Sequence, residues 1–257
     1  MKSLSKGCSR TRHAWVFTFL FSIFFTQISL SQAPFNPPGT YTTSWLGNTY
    51  MDNSDKKVVT EELNSICLSP NGLVFSAGYA EAFGGGASYN IADGSFAGRY
   101  GNTNSGFGDP LSVVAADSNY VYYGAGIGVL RAPHGGAQGG YDVYLNGINV
   151  QGIYYKNGKL YVSDFGNGKI RVINASTMTE ITNWSCPNPT RLTVDNAGNV
   201  WVIRWDSTSI QSPSDGPMWK GDKILSFSAS GVPGNQITDF DQPLSLAING
   251  NGQLLVG

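Results

Sequence analysis

The chain has 257 residues, of which 41% are hydrophobic and only 13% are charged. Its 16 Lys and Arg residues are balanced by 17 Asp and Glu residues, so it lacks the cationic surplus that nucleic acids and anionic lipid surfaces attract. Glycine and tyrosine are abundant, with 33 and 13 copies, which favours many short strands joined by tight turns.

Residues 1–33 have the features of a secretory signal peptide. Four Lys and Arg residues precede a mostly apolar run from Trp15 to Ile28, and Ser31-Gln32-Ala33 then offers small residues for cleavage. The alternative is an N-terminal membrane anchor, but the run is shorter than the ~20 residues that a bilayer requires. We therefore expect an exported chain, secreted or held in the periplasm or at the cell surface, without a membrane span after signal removal.

Cleavage of the signal changes the charge balance. It would take four of the 16 cationic residues and none of the acidic ones, which leaves a net charge of about −5. This balance argues against nucleic acid as a partner. Residues 34–62 then form a separate lead-in segment, whose first part is rich in proline.

A strand–turn–strand phrase recurs from residue 63 onward. It is clearest at Pro189–Val202 and returns at Pro243–Val256. The matched positions are Val74, Val121, Leu160, Val200 and Leu254. They lie 39 to 54 residues apart, and a blade of a β-propeller takes roughly 40 to 50 residues. We therefore predict an all-β fold, a β-propeller of four-stranded antiparallel blades over residues 63–257, with the matched positions buried.

About four to five blades are visible, and the phrase at Pro243 elsewhere continues for two further strands. We expect the chain to be an incomplete piece of a longer protein, because an open ring would leave unpaired strand edges. The alternative is a small five-bladed ring whose last blade takes a strand from residues 40–46.

Two local features refine the blades. Asn157-Gly158 separates two apolar strands, and both of these residues tolerate the positive φ that a type I′ hairpin turn needs. The blade at 189–228 carries an insertion, residues 206–218, between two of its strands. Long insertions lie at one rim of a propeller and often shape a ligand face.

Cys67 and Cys186 remain once the signal is removed. An oxidising compartment would permit a disulfide between them. However, they lie 119 residues apart in different predicted blades, each within an apolar strand pattern. We expect two buried free thiols.

The run Asp164-Phe-Gly-Asn-Gly-Lys-Ile-Arg-Val-Ile173 resembles the NHL repeat. The phrase at 189–202 resembles both NHL proteins and the six-bladed gluconolactonase-like (senescence marker protein) propellers, and Trp45–Tyr50 resembles secreted bacterial NHL-like proteins. The resemblance covers roughly residues 63–257. It implies the fold rather than an activity, because such propellers include lactonases, lyases and binding modules.

A gluconolactonase-like enzyme would hold a divalent metal at the central channel with one Glu, two Asn and one Asp, and the metal would polarise a lactone carbonyl. The resemblance makes Glu61 or Glu62 the candidate Glu. It places Gln151 where a ligating Asn is expected, and no Asp-Gly phrase matches the catalytic Asp. Lyase relatives need histidines, and only His134 follows the signal, so a zinc site is excluded.

Large aromatic residues flank the insertion. Trp205 and Trp219 lie on either side of it, next to Asp206 and Asp222. Exposed tryptophans stack on the apolar faces of sugar rings, while carboxylates bind the hydroxyls. We therefore predict a ligand-binding face at these four residues. The alternative is that the insertion folds over its own tryptophans.

The sequence as a whole favours an exported NHL-like propeller that acts as a binding or scaffold module, with carbohydrate or an extracellular protein as its partner. The alternative is a metal-dependent, lactonase-like hydrolase. We expect no cofactor. Asp- and Asn-rich turns such as residues 195–199 could hold calcium, but their side chains stabilise such turns without a metal.

Overall fold

The computed structural model describes residues 62–79, 85–100, 111–126, 128–135, 142–205, 223–240 and 243–257. All of these residues belong to one compact unit of the chain, Ser44–Gly257. The described ranges contain eighteen β-strands and no α-helix, which confirms the all-β prediction. A helix long and apolar enough to cross a membrane is accordingly not found in these ranges.

The strands form four sheets of four strands and a fifth sheet of two, each an antiparallel meander in chain order. The first sheet consists of β1 (Glu62–Leu68), β2 (Leu73–Tyr79), β3 (Gly86–Asn90) and β4 (Phe96–Tyr100). The second consists of β5 (Leu111–Ala116), β6 (Tyr120–Ala125), β7 (Gly128–Pro133) and β8 (Asp142–Tyr144).

The third sheet consists of β9 (Val150–Lys156), β10 (Lys159–Asp164), β11 (Lys169–Asn174) and β12 (Glu180–Ser185). The fourth consists of β13 (Pro189–Val194), β14 (Val200–Arg204), β15 (Lys223–Phe227) and β16 (Pro233–Ile237). The two-stranded sheet consists of β17 (Leu246–Ile248) and β18 (Leu254–Val256). These sheets are the blades that the repeat predicts.

The blades are arranged around a common axis. The first strands of successive blades lie side by side, in the order β1, β5, β9, β13 and β17. Apolar clusters fill the spaces between the faces of neighbouring four-stranded blades. Phe75 packs with Tyr123 between the first two blades, Tyr122 with Leu160 between the next two, and Ile170 with Val202 between the last two. The core is therefore divided among the blade interfaces.

The prediction that all five matched positions are buried is only partly right. Val121, Leu160 and Val200 are fully buried, whereas Val74 and Leu254 are half-buried. Val74 lies in the first described sheet and Leu254 in the last. In the described part of the chain each of these two sheets has a neighbouring sheet on one side only, and this difference in packing accounts for the exposure.

The turns between first and second strands have a common chemistry. In three of these turns the side-chain oxygen of the first turn residue, which is Asp117, Asp195 or Asn249, accepts two main-chain N–H groups. One belongs to the residue two positions later, and the other to the residue three or four positions later. In the third blade the turn is Asn157-Gly158, with φ of 50° and 76°, as a type I′ turn requires. Turn formation therefore accounts for these Asp and Asn residues without a metal.

Both described cysteines are free thiols, as predicted, but the prediction that both are buried is right only for Cys186. Cys186 is buried and Cys67 is half-buried. Burial raises the pKa of each thiol to about 12.

Candidate functional site

The first strands of the five sheets surround an open channel of about 590 Å³. Apolar side chains such as Ile66, Ile153 and Leu246 share its wall with polar residues such as Ser65. Every first strand begins at the same end of the channel, because each blade repeats the same up-and-down order. We call this end the upper rim. It also carries the turn Phe165–Gly168 and the connection Cys186–Asn188.

Arg191 of β13 crosses the channel close to the upper rim. Its Nη1 donates hydrogen bonds to the carbonyl oxygens of Ser112, at 2.9 Å, and Gln151, at 3.3 Å. Its Nη2 donates to the carbonyl oxygen of Asn64, at 3.2 Å. The three acceptors belong to β5, β9 and β1. One side chain thus joins the first strands of all four complete blades.

Arg191 remains positively charged in this position. Burial lowers the pKa of its guanidinium to about 10, so the group is still cationic at neutral pH. The described ranges contain ion pairs at Arg131 and Arg171, but none at Arg191. Carbonyl dipoles alone therefore compensate this cation among the described residues.

Gly152 sets the distance between β9 and β13, and so determines what Arg191 can reach. A Cβ atom at Gly152 would overlap the main-chain oxygen of Thr190 and would lie 2.8 Å from Ser163 Oγ. Only a residue without a side chain permits this approach of the two strands. The adjacent carbonyl of Gln151 is thereby brought within hydrogen-bonding distance of Arg191.

The structure brings Gln151 and the start of β1 to the same rim. Gln151 is buried, and its Nε2 donates to Asn149 Oδ1 at 2.7 Å. Glu62 begins β1, and its main chain pairs with that of Tyr79. Glu61 lies outside the described residues. Of the three proposed metal-site residues, Gln151 is the one whose side-chain contact is defined, and that contact is with the side chain of Asn149.

The described residues of the upper rim do not fit the metal set that the resemblance implies. A divalent cation there would meet the Arg191 guanidinium, whereas calcium requires several oxygen ligands, including carboxylates. No group of three His, Cys, Asp or Glu residues suited to a metal occurs in the described ranges. His134 follows β7 and lies at the opposite rim, with its ring against Phe75 at 4.9 Å.

Trp205 lies at the upper rim, directly after β14. It is half-buried, its ring lies 5.5 Å from that of Phe165, and its main-chain N–H donates to the carbonyl of Asn188. Trp219, Asp206 and Asp222 lie outside the described residues, so the proposed ligand face at the insertion stays a prediction.

Trp184 is one of the large aromatic residues of the third blade. It lies within β12, and its ring packs against that of Phe227 at 5.9 Å. The alternating exposure of β12 leaves Trp184 half-buried between exposed neighbours. It is therefore a packing residue of the blade interface.

The run that resembles the NHL repeat forms a hydrogen-bond network at the upper rim. The Asp164 carboxylate is fully buried and accepts from Asn167 N, from Asn167 Nδ2 and from Arg171 Nε, the last at 2.8 Å. Arg171 also pairs with Glu180. These contacts hold the turn between β10 and β11 and leave the Asp164 side chain no open face.

A second open cavity, of about 500 Å³, lies at the opposite rim between the second and third blades. Tyr120, Asn157 and Ile181 line it. The Asp117 carboxylate at its edge is occupied by the Tyr122 hydroxyl at 2.6 Å and by its own turn. The Asp117 carboxylate is therefore not available to a ligand in this cavity.

Sequence reasoning missed Arg191. The phrase at 189–202 carries a cation where the corresponding positions of other first strands hold the small residues Ser112, Gly152 and Ser245. That contrast was the available signal. It was not sufficient, because the acceptors of Arg191 are main-chain carbonyls, which no residue type reveals.

Comparisons with known proteins define the class of fold. The sequence matches no protein-family model, and no curated protein matches it significantly. Among solved structures the chain is similar to hydrazine synthase from Kuenenia stuttgartiensis, with 14% identity over 81% of this chain and 58% of that chain and a TM-score of 0.58. It is also similar to a catalytically inactive virginiamycin B lyase from Staphylococcus aureus with quinupristin (17% identity, 72% and 59%, TM-score 0.53).

A third similar structure is the extracellular domain of a hybrid two-component system from B. thetaiotaomicron, with 15% identity over 76% of this chain and 28% of that chain and a TM-score of 0.53. The chain spans less than two thirds of the length of each of these three structures. At such identities the similarity defines the fold alone. Together with the radial order of the blades, it shows that the chain is a β-propeller.

Proposed function

We propose that the chain is an exported, NHL-like propeller that binds a carbohydrate at the upper rim of its central channel. The channel carries this proposal. Its volume of about 590 Å³ lies in the range of known ligand sites, and its wall combines apolar side chains with a few polar groups. Ile66 and Leu246 offer surface for the apolar face of a sugar ring, and Arg191 offers hydrogen-bond donors.

The assignment to the NHL type rests on the third blade. Its run from Asp164 resembles the repeat, and the Asp164–Asn167–Arg171 network gives that run a structural role at the turn. Export is supported by the signal-like residues 1–33 and by the similarity in fold to an extracellular domain. Neither argument depends on the identity of the ligand.

A lactonase-like hydrolase is less well supported than a binding module. The described upper rim presents a guanidinium where that chemistry needs a metal ion, and the Gln151 side chain is engaged with Asn149. The lone described histidine, His134, lies at the opposite rim. Binding without turnover therefore accounts for more of the geometry.

The proposal is tested by blocking the channel. Ile66 lines it and is 64% exposed, so Ile66→Trp should narrow the channel without disturbing the core. Ile91, which is 53% exposed in the turn between β3 and β4, supplies the matched control Ile91→Trp.

The exported chain would be screened on a glycan array, and the strongest hit would be titrated by calorimetry. We expect Ile66→Trp to lower its affinity at least about tenfold and Ile91→Trp to leave it unchanged. A chain that binds no glycan, or a hit that both variants bind like the parent, would contradict the proposal.

A further inference from the structure

The position of Arg191 is costly unless something offsets its charge. The guanidinium lies inside the channel, where burial lowers its pKa, and its described partners are three carbonyl groups. Buried charges in proteins are normally paired with an opposite charge, because dipoles replace the lost hydration only in part. An anion at this position would supply the missing compensation.

Hydrogen-bond donors also remain available at the same place. A guanidinium has five N–H groups, and the contacts among the described residues use three of those of Arg191. The Asn64 side chain adds another donor, since its Nδ2 is buried and has no hydrogen-bond partner among the described residues. Asn64 lines the channel, and its own carbonyl already accepts from Arg191. This part of the channel therefore has an excess of unused hydrogen-bond donors and of positive charge.

We propose that the upper rim of the channel binds an acidic sugar, whose carboxylate pairs with Arg191 while its ring lies against the apolar channel wall. This inference rests on the proposed carbohydrate-binding function and specifies the chemistry of the ligand. Guanidinium groups bind carboxylates through parallel N–H donors, which gives both strength and orientation. A channel of about 590 Å³ is large enough for a sugar of one or two rings.

The probes are D-glucuronate, D-glucose, glucose 6-phosphate and inorganic phosphate, each titrated into the full exported chain by calorimetry. We expect glucuronate to bind at least about tenfold more tightly than glucose, and more tightly than either phosphate compound. The preference for glucuronate over glucose should shrink as salt is added, because it depends on charge.

Three variants separate charge from fold. Arg191→Gln removes the cation, and it should abolish the preference for glucuronate over glucose. Arg131→Gln is the matched control, because Arg131 is a similarly half-buried arginine, paired with Asp142 on the second blade and away from the channel. Asn64→Asp keeps the size of the side chain and adds a negative charge to the channel. It should weaken glucuronate binding at least about tenfold and weaken glucose binding much less, because the new carboxylate repels only the charged sugar.

Asn64→Asp keeps the test decisive even if Arg191→Gln fails to fold. Equal affinities for glucuronate and glucose in the parent chain would overturn the inference and leave carbohydrate binding intact. Retained glucuronate affinity in Asn64→Asp would also overturn it. Inorganic phosphate that binds as tightly as glucuronate would overturn the assignment of an acidic sugar. Binding of no sugar, neutral or acidic, would overturn the proposed function as well.

Discussion

Gly152 lies where the first strands of the third and fourth blades approach each other most closely. Gly152→Ala would place a Cβ atom in overlap with the main-chain oxygen of Thr190, 2.8 Å from Ser163 Oγ and 3.2 Å from Leu192 N. Two of these three atoms belong to the backbone of the neighbouring blade, so no side-chain rotation can relieve the clash. The blade interface itself has to open.

The size of the effect follows from this geometry. Ordinary van der Waals contact would require the Thr190 oxygen to move by about 1 Å. Overpacking of a well-packed interior costs about 1–3 kcal/mol, and a backbone obstacle places this site at the upper end, about 3 kcal/mol. In a unit of this size, 1 kcal/mol lowers Tm by roughly 2–4 °C, so we expect Tm to fall by roughly 6–12 °C.

The matched control is Gly166→Ala, where the nearest described neighbour of the new Cβ would be Asn149 Cβ at an ordinary 3.7 Å. We expect that variant to stay within about 0.5 kcal/mol of the parent chain. Thermal unfolding followed by circular dichroism measures both. If Gly152→Ala melts together with Gly166→Ala, the third and fourth blades are not packed as closely as described here.

Three further predictions concern stability and reactivity. Asp164→Ala should destabilise the fold by about 3 kcal/mol in urea unfolding, because it leaves two Asn167 donors without an acceptor and the half-buried Arg171 paired with Glu180 alone. Burial lowers the pKa of His134, and this effect exceeds the opposing effects of the Tyr120 backbone contact and Asp117. The unfolded chain therefore binds the proton more readily than the folded chain. As a result, the free energy of unfolding falls as the pH drops through the unfolded pKa of about 6.5. His134→Phe should therefore reduce the dependence of unfolding free energy on pH between about pH 7 and pH 5. Cys67 and Cys186 should react slowly with a thiol reagent at about pH 8 in the native state and rapidly in denaturant, because burial raises the pKa of both to about 12.

Each of these predictions has a contradicting result. Asp142→Ala removes an exposed partner of Arg131 and should lower the free energy of unfolding by less than about 1 kcal/mol. If Asp164→Ala lowers it by no more than Asp142→Ala does, the burial of Asp164 is unimportant for stability. An unchanged pH slope in His134→Phe would mean that other groups control acid sensitivity. Fast native labelling of Cys186, read by mass spectrometry, would contradict its burial.

Much of the fold could be predicted from the sequence because local rules determine it. The repeat spacing gave the blades, since a four-stranded meander of fixed strand length needs a nearly fixed number of residues. The pair Asn157-Gly158 predicted a type I′ turn, because both central residues of that turn have to adopt positive φ. The Asp195 turn likewise follows from side chain and main chain within five residues.

The site could not be predicted in the same way, because it depends on contacts between blades. Arg191 reaches carbonyls of residues 40, 79 and 127 positions away in sequence, and carbonyls are present at every residue. Its approach depends on Gly152 in a different blade. The family resemblance directed attention to Gln151 for its side chain, whereas its contribution in the structure is its main-chain oxygen. Because large aromatic residues flank the insertion, the sequence led us to predict the carbohydrate site at Trp205 rather than in the channel.

The most direct test of the account is a crystal structure of the exported chain with the tightest-binding sugar from the titrations. The account predicts sugar density at the upper rim of the channel, within hydrogen-bonding distance of Arg191 and against the wall formed by β9 and β17. Density confined to the outer strands of the blades, with the channel closed by protein side chains, would contradict it.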